Sequence, residues 1–328
     1  MQNSEIGTLQ PLIADFRFKP YQEYEICSER IIRFVRDEIL SCLSSRSGIV
    51  LICREKGRIV GFVSENRSDW DSQHFEIRMA RIEYLAATGD YSKSLKVKRA
   101  LLSGLVTENL SRDIHHLTCA FHTEDLSSIQ AAESCGFRTM DTKVFYGIDF
   151  GRKPLVEFKA TCNVREFRSN DLPKLIDIAR ESFKDGRIAT DRFHADPSLS
   201  KEKSNELYVK WLVNSVNGFA NIVLVAETEG TIVGYITCKI FDALNQRLGK
   251  KFGSMVISAV SPHARQRGIY TSLFGSGLQW LSQRVEVVEI GTQVGNYVVQ
   301  GIWPKFGFAL RRSENSFAKL ISARWHSK

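Results

Sequence analysis

The sequence has no apolar run long enough for a membrane-spanning helix, and its first residues, MQNSEIGTLQPLIADF, lack the basic-then-apolar order of a secretory signal. Seven cysteines stand at 27, 42, 53, 119, 135, 162 and 238, and no two form a Cys-x-x-Cys pair. An odd number at irregular spacing gives neither a regular disulfide framework nor a zinc-ligand pattern, and it reads as free thiols in a reducing cytoplasm, the expected location. His115, His116 and His122 have no cysteine or carboxylate arrangement beside them, so no metal is expected. There is also no long basic tail. The net charge of +8 is dispersed, apart from short groups at 247–251, 265–267 and 311–312. Such a surface attracts anions through its summed field. The expected anion is a nucleotide cofactor or a nucleotide-linked substrate rather than nucleic acid.

The 328 residues, 43% of them apolar, suffice for two cores of ordinary domain size. The sequence also repeats itself. Residues 49–64 read IVLICREKGRIVGFVS and residues 222–237 read IVLVAETEGTIVGYIT, with seven of sixteen positions identical at an offset of 173. Each copy reads as a β-hairpin, two β-branched runs joined at Gly57 or Gly230. Cys135-Gly136-Phe137 and Phe306-Gly307-Phe308 match in the same order at an offset of 171. Two ordered matches at nearly one offset predict two copies of one fold, divided as 1–155 and 156–328.

The second copy parses as an α/β (α+β) arrangement, a mixed, mostly antiparallel sheet with helices on both faces. A strand near 162–167 leads to a helix capped by Asn170 and running to about Lys184. A second helix starts at Ser200 and ends at Gly218. Strands follow near 221–227, 231–241 and 254–260, then a helix over 269–283, a strand over 287–294, a short helix from Asn296 and a last strand after Gly307-Phe308.

The stretch 255–281, MVISAVSPHARQRGIYTSLFGSGLQWL, carries the chemistry. An apolar strand runs into Pro262 and a basic turn, and Gly268 then opens an apolar helix. Glycine lets the backbone approach a ligand closely. The first amides of a helix lack internal partners and carry the positive end of its dipole. Together they can hold a pyrophosphate, with Arg265 and Arg267 adding charge. A plain strand–turn–helix crossover would use the same residues.

The order of elements and the run Arg265-Gln266-Arg267-Gly268-Ile269-Tyr270 resemble the GNAT acetyltransferase superfamily, whose signature is Gln/Arg-x-x-Gly-x-Gly/Ala. Tyr270 departs from it, standing where a small residue is usual. Within the superfamily, 291–296 (GTQVGN), the run through 186–196 and Trp70-Asp71-Ser72 with Phe75 are similar to the TDP-fucosamine type of sugar N-acetyltransferase. That likeness extends over about 70–85, 117–150 and 165–320. The resemblance implies tandem GNAT-like folds and an acetyl-CoA (or other short acyl-CoA) donor. It implies a small-molecule amine acceptor, a nucleotide-linked amino sugar used in surface polysaccharide or glycan biosynthesis, and it allows a homodimer. Another amine acceptor, or acyl-CoA binding with little catalysis, are the alternatives.

The same resemblance implies that the amides of Gln266, Arg267, Gly268, Ile269, Tyr270 and Thr271 hold the pyrophosphate. The strand ending at Val260 would splay from the strand ending at Val294, with the pantetheine arm between them. An oxyanion-stabilising amide is expected near Ala259 or Val260, and Asn296 either contacts the cofactor arm or caps a helix. The family's thiolate-protonating tyrosine falls at Trp303, whose indole N–H is not a usable acid. Tyr297 and Tyr270 are the nearest phenols, departure of an unprotonated thiolate is the alternative, and Trp303 is otherwise a packing or cofactor contact. Glu227, Asp242, His194 or a water chain could act as base. In the loop 186–197, Arg187 and Arg192 could meet a diphosphate, Phe193 could stack on a base or sugar, and Asp191 and His194 could contact the acceptor. Trp70 and Phe75 could close the acceptor cleft or lie in a core.

The first copy reads as disarmed. Leu95 stands where Gly268 does, and Asp125 stands where Asn296 does.

Overall fold

The computed structural model describes residues 7–44, 48–186, 188 and 190–321. Along the chain run α1 (Gln10–Asp15), α2 (Ser28–Ser44), β1 (Ile49–Glu55), β2 (Arg58–Arg67), α3 (Asp69–Phe75), β3 (Met79–Ala87), α4 (Tyr91–Ser111), β4 (His116–His122), α5 (Leu126–Ser134) and β5 (Arg138–Asp149). They are followed by β6 (Asn163–Glu166), α6 (Leu172–Phe183), α7 (Arg192–Ala195), α8 (Lys201–Asn214), β7 (Ile222–Thr228), β8 (Thr231–Ile240), α9 (Asp242–Leu248), β9 (Phe252–Val260), α10 (Ile269–Ser282), β10 (Val287–Gln293), α11 (Tyr297–Ile302) and β11 (Ala309–Leu320).

The chain forms two compact units, Met1–Thr142 with Ser313–Lys328, and Lys143–Arg312. In the first unit the strand order is β1-β2-β3-β4, completed by the end of β11. In the second, the end of β5 starts the order β5-β10-β9-β8-β7-β6. The linear boundary expected at 155–156 falls in the irregular stretch after β5. Compactness follows hydrogen bonding instead, since 143–149 pair with β10 and 314–320 pair with β4. Within each unit the strands pair antiparallel except for β3 with β4 and β9 with β10. The expected mixed sheet with helices on both faces is therefore present.

Strand periodicity explains how the second unit builds two cores. Successive strand residues point to opposite faces. Leu224 and Ala226 of β7 and Ile236 and Cys238 of β8 meet Leu273, Phe274, Leu278 and Leu281 of α10. Their neighbours Val223, Val225 and Tyr235 meet Leu175, Ile178 and Ala179 of α6 and Val209 and Leu212 of α8. Full burial of each such side chain contributes about 1.5–3 kcal/mol.

Local chemistry sets the ends of the helices. Ser200 accepts from the Lys203 amide and starts α8 as expected. Asn170 does not cap α6. It lies in a 3₁₀ turn, Ser169–Asp171, and Asp171 instead accepts from the Arg168 amide and from the Arg165 guanidinium. The helix ending near Gly218 stops earlier, at Asn214, and a wider turn, Ser215–Phe219, carries the chain on to Gly218. The sequence reading also passed over α9, although Gly249 at φ 66 ends it in the left-handed manner glycine favours.

The duplication is visible in the irregularities of the strands. β1–β2 shifts register at Cys53/Arg54 and β7–β8 at Ala226/Glu227, again 173 residues apart. β2 shifts against β3 at Ser64/Glu65, and β8 shifts against β9 between Ile236 and Cys238. Bulges bend a strand and re-aim its side chains, so bulges at equivalent places mark one inherited backbone.

Candidate active site

In the second unit β9 and β10 pair only at Phe252↔Val287 and Gly253↔Val288. Beyond these residues the two strands part, which is the expected splay. β9 keeps β8 on its other side through Ile236↔Ser258, Tyr235↔Ala259 and Gly234↔Val260. The Ser261 amide donates to Val233. Backbone groups alternate in an antiparallel ladder, so Ala259 also faces β8, while Ser258 and Val260 face the gap. The Val260 carbonyl is occupied, accepting from the Ser182 hydroxyl at 3.4 Å and from Arg265 Nε at 3.2 Å. The amides of Ser258 and Val260 thus face the gap, and Ala259 contributes a buried side chain instead.

The turn after β9 leads into α10. Gln266 has φ 64 and Gly268 has φ 74. The second value suits glycine, which reaches positive φ without a Cβ penalty. Among the described residues, no amide from 266 to 271 donates to a protein group, and the first bond of the helix is Ser272 N–H to Gly268 O at 3.0 Å. Arg265, Gln266, Arg267 and Gly268 are exposed around this donor-rich end. That set fits a pyrophosphate: unused N–H groups, a helix dipole and cations in one place.

Gly268 has a second duty that the sequence did not disclose. A Cβ there would lie 2.9 Å from Thr161 Oγ1 and 3.1 Å from its Cγ2. Thr161 donates to the Arg267 carbonyl at 3.1 Å, and its amide donates to Ser272 Oγ at 2.9 Å. Two turns along α10, a Cβ at Gly275 would meet the ring of Phe158 at 2.5 Å. The segment before β6 is therefore laid along α10. Two glycines seven residues apart on one helix were the available signal of such close packing.

Tyr270 and Trp303, the two departures from the family pattern, meet each other. Trp303 Nε1 donates to the Tyr270 phenol oxygen at 3.0 Å, and the Ser258 side chain hydrogen-bonds the same phenol. Burial pushes the phenol up to about 12, with these two bonds opposing the shift. The Trp303 ring, 4% exposed, stacks with Phe274 at 6.3 Å and meets the edge of Tyr146 at 5.4 Å. It thus has little surface to offer a cofactor directly. Tyr297 is 76% exposed and points outward. Asn296 precedes α11 without capping it through its side chain, and its Nδ2 donates to Thr292 Oγ1 at 2.9 Å.

The other residues singled out in the sequence are largely engaged among themselves. Asp191 Oδ2 accepts from the Tyr208 hydroxyl and bonds His194 Nδ1, both at 2.7 Å, while His194 Nε2 lies 3.1 Å from Asn205 Oδ1. The Asp191 bond raises the pKa of His194, and although burial alone would raise that of Asp191, the His194 and Tyr208 bonds hold it below the usual range. This is a tied-down imidazole rather than a free base. Phe193, 5% exposed, meets Trp211, so it is not presented for stacking on a substrate, and Arg192, expected to meet a diphosphate, lies with its guanidinium 4.4 Å over the Phe193 ring. Glu227 is bonded by Arg165, which lowers its pKa and removes it as a base. In the first unit Phe75 is buried, whereas Trp70 is half-exposed and stacks on His74 at 5.3 Å. Arg187 lies outside the described residues.

The first unit differs at each of these features. β3 and β4 stay paired for two residues further, through Ile82↔Cys119, so the corresponding gap is partly zipped. α4 begins at Tyr91, and Leu95, the counterpart of Gly268, is already helical. The helix start is capped by Asp90, which accepts from the Lys93 amide and places negative charge where a phosphate would need positive. Lys98 and Asp125 stand where Thr271 and Asn296 stand, and they form a buried ion pair at 2.8 Å.

The acetyltransferase (GNAT) family profile matches residues 177–308. Spore coat polysaccharide biosynthesis protein SpsD of Bacillus subtilis (strain 168) is 27% identical over 145 residues, 44% of this chain and 45% of that protein. The matched stretch thus spans less than half of that relative. A tandem GNAT protein from the clavulanic acid biosynthesis pathway superposes with a TM-score of 0.53 at 14% identity, covering 97% of this chain and 95% of the other. The GCN5-related glucosamine N-acetyltransferase region of a fungal multi-domain GH3 β-N-acetylglucosaminidase superposes with a TM-score of 0.62 at 13% identity, covering 97% of this chain and 37% of the other. At such identities the superpositions establish the fold. Residues 177–308 thus match the acetyltransferase (GNAT) family, and the fold of the whole chain is that of tandem GNAT structures.

Proposed function

We propose that the protein transfers an acetyl group, or another short acyl group, from acyl-CoA to the amine of a nucleotide-linked amino-deoxy sugar destined for a surface polysaccharide or related glycan. The observation that carries this reading is the β9–β10 gap ending at the uncommitted amides of α10. Those amides would grip the pyrophosphate, with Arg267 adding charge, and the free edges of both strands would pair with the pantetheine arm. The amides of Ser258 and Val260 would stabilise the oxyanion that forms when the amine attacks. The bond to Thr292 holds the Asn296 amide group beside the end of β10, at the open end of the same gap.

The sugar acceptor rests on the polysaccharide role named for the Bacillus relative. A different amine is the second reading, because Asp191, His194 and Phe193 are committed to one another and to α8. Thiol release from acetyl-CoA, measured with TDP- and UDP-amino sugars against amino acids, polyamines and peptides, separates the two. The sugars are expected to give a kcat/KM at least tenfold above any other amine. A polyamine or peptide as the best acceptor would overturn the sugar assignment, and no release with any amine would overturn the transferase reading.

A further inference from the structure

We propose that the Tyr270 phenol is the acid that protonates the departing thiolate, with Trp303 as its positioning residue. The inference rests on the acyl-CoA reading above and names the group that this reading leaves open. Its basis is where the phenol oxygen sits. Tyr270 belongs to the first turn of α10, and its amide is part of the anion-binding end of that helix. Its side chain runs the other way, to Ser258 on β9, whose amide faces the gap. From beyond β10, Trp303 reaches the same oxygen with its indole N–H. One phenol oxygen is thus tied to elements following each of the two parted strands.

The bond from Trp303 also leaves the phenol its proton. An indole N–H can only donate, so the phenol oxygen accepts from Trp303, and its own hydrogen is not spent on that bond. The same N–H stabilises negative charge that develops on the oxygen. Tyr297, the other phenol expected from the sequence, is 76% exposed on α11 and has neither partner, and Tyr146 meets Trp303 through ring contact at 5.4 Å. The two departures from the family pattern therefore compensate each other. A bulky phenol on α10 needs the hydrogen bond from Trp303, and an indole at 303 cannot supply a proton.

In the step itself, the amine lone pair forms a C–N bond at the thioester carbon, and the carbonyl π pair moves to oxygen. As the carbonyl re-forms, the C–S bond breaks and its pair goes to sulfur. Tyr270 gives its proton to that sulfur. The phenolate takes a proton back from the nitrogen, which has become acidic by forming the bond, through intervening water. Thiol and amide leave, and the enzyme ends as it began.

The test uses the full chain with acetyl-CoA and the best amine found. Tyr270→Phe is expected to lower kcat about 100-fold, the lower end for loss of a general acid, with CoA affinity within twofold. Trp303→Phe, which keeps a ring but removes the N–H, should lower kcat about tenfold, as for a hydrogen bond to developing charge. The double variant Tyr270→Phe with Trp303→Tyr restores a phenol from the family's usual position and should regain at least tenfold over Tyr270→Phe. A purely structural role would move CoA affinity and thermal midpoint and leave kcat of the folded variants near the parent value. Wild-type turnover with an unchanged kcat in Tyr270→Phe overturns the acid assignment alone. A wild type that binds CoA but releases no thiol with any amine overturns both readings.

Discussion

Replacing Gly268 by alanine probes two roles of one position. The left-handed φ of 74 costs a residue with a Cβ about 1 kcal/mol. The added methyl would also stand 2.9 Å from Thr161 Oγ1, a contact real Cβ atoms do not make, so Thr161 must move. Moving it sacrifices the bond from Thr161 to the Arg267 carbonyl, about 1 kcal/mol more. If the whole of that roughly 2 kcal/mol is needed to hold the loop in its binding shape, CoA affinity falls about 30-fold. The unliganded loop can relax, so the thermal midpoint drops by at most about 4–8 °C. Titration calorimetry with CoA reads the first quantity and thermal denaturation the second. In a Thr161→Ala background, which has neither the clash nor that bond, adding Gly268→Ala leaves only the φ penalty and should cost about fivefold relative to Thr161→Ala alone. An unchanged affinity in Gly268→Ala would refute the anion cradle. No loss in the Thr161→Ala background would show that the glycine serves packing only.

Two further outcomes follow from groups away from the gap. Lys98→Met leaves Asp125 buried without its cation and should destabilise the protein by about 3–5 kcal/mol in denaturant titration, with CoA affinity unchanged; a loss below about 1 kcal/mol would show that Asp125 finds water. His194 has a raised folded pKa, so its contribution to stability is complete below its unfolded value of 6.5 and fades as pH rises through the folded value, whereas Asp191, with a lowered pKa, loses its contribution as pH falls below 3.8. Removing the imidazole with His194→Gln should therefore flatten the stability curve above pH 6.5, as followed by thermal midpoint, and an unchanged slope would refute an ionic His194–Asp191 pair.

Much of the fold was legible because it depends on local pattern. The alternation in 222–226 already encodes the two faces of β7, and the repeated hairpin announced two copies whose bulges coincide. The turn at Gly268 was legible because a positive φ is a property of one residue. The loop 186–197 was misleading for the opposite reason. Its polar and aromatic residues look like ligand contacts in isolation, but their partners Tyr208, Asn205 and Trp211 come from the following helix, α8, at separations that no local pattern specifies.

By itself the sequence determined the class of the fold, the duplication and the copy in which a glycine opens the helix after the parted strand, since these follow from periodicity, repeats and a glycine at a helix start. Tertiary structure alone decided how the altered positions are used. It set the indole of Trp303 against the phenol of Tyr270, paired Lys98 with Asp125 in the other copy, laid Thr161 over Gly268 and sent strands β5 and β11 to complete units other than those in which they begin. Each of these is a contact between residues far apart in the chain, where packing and hydrogen-bond geometry choose among partners that the sequence leaves equivalent.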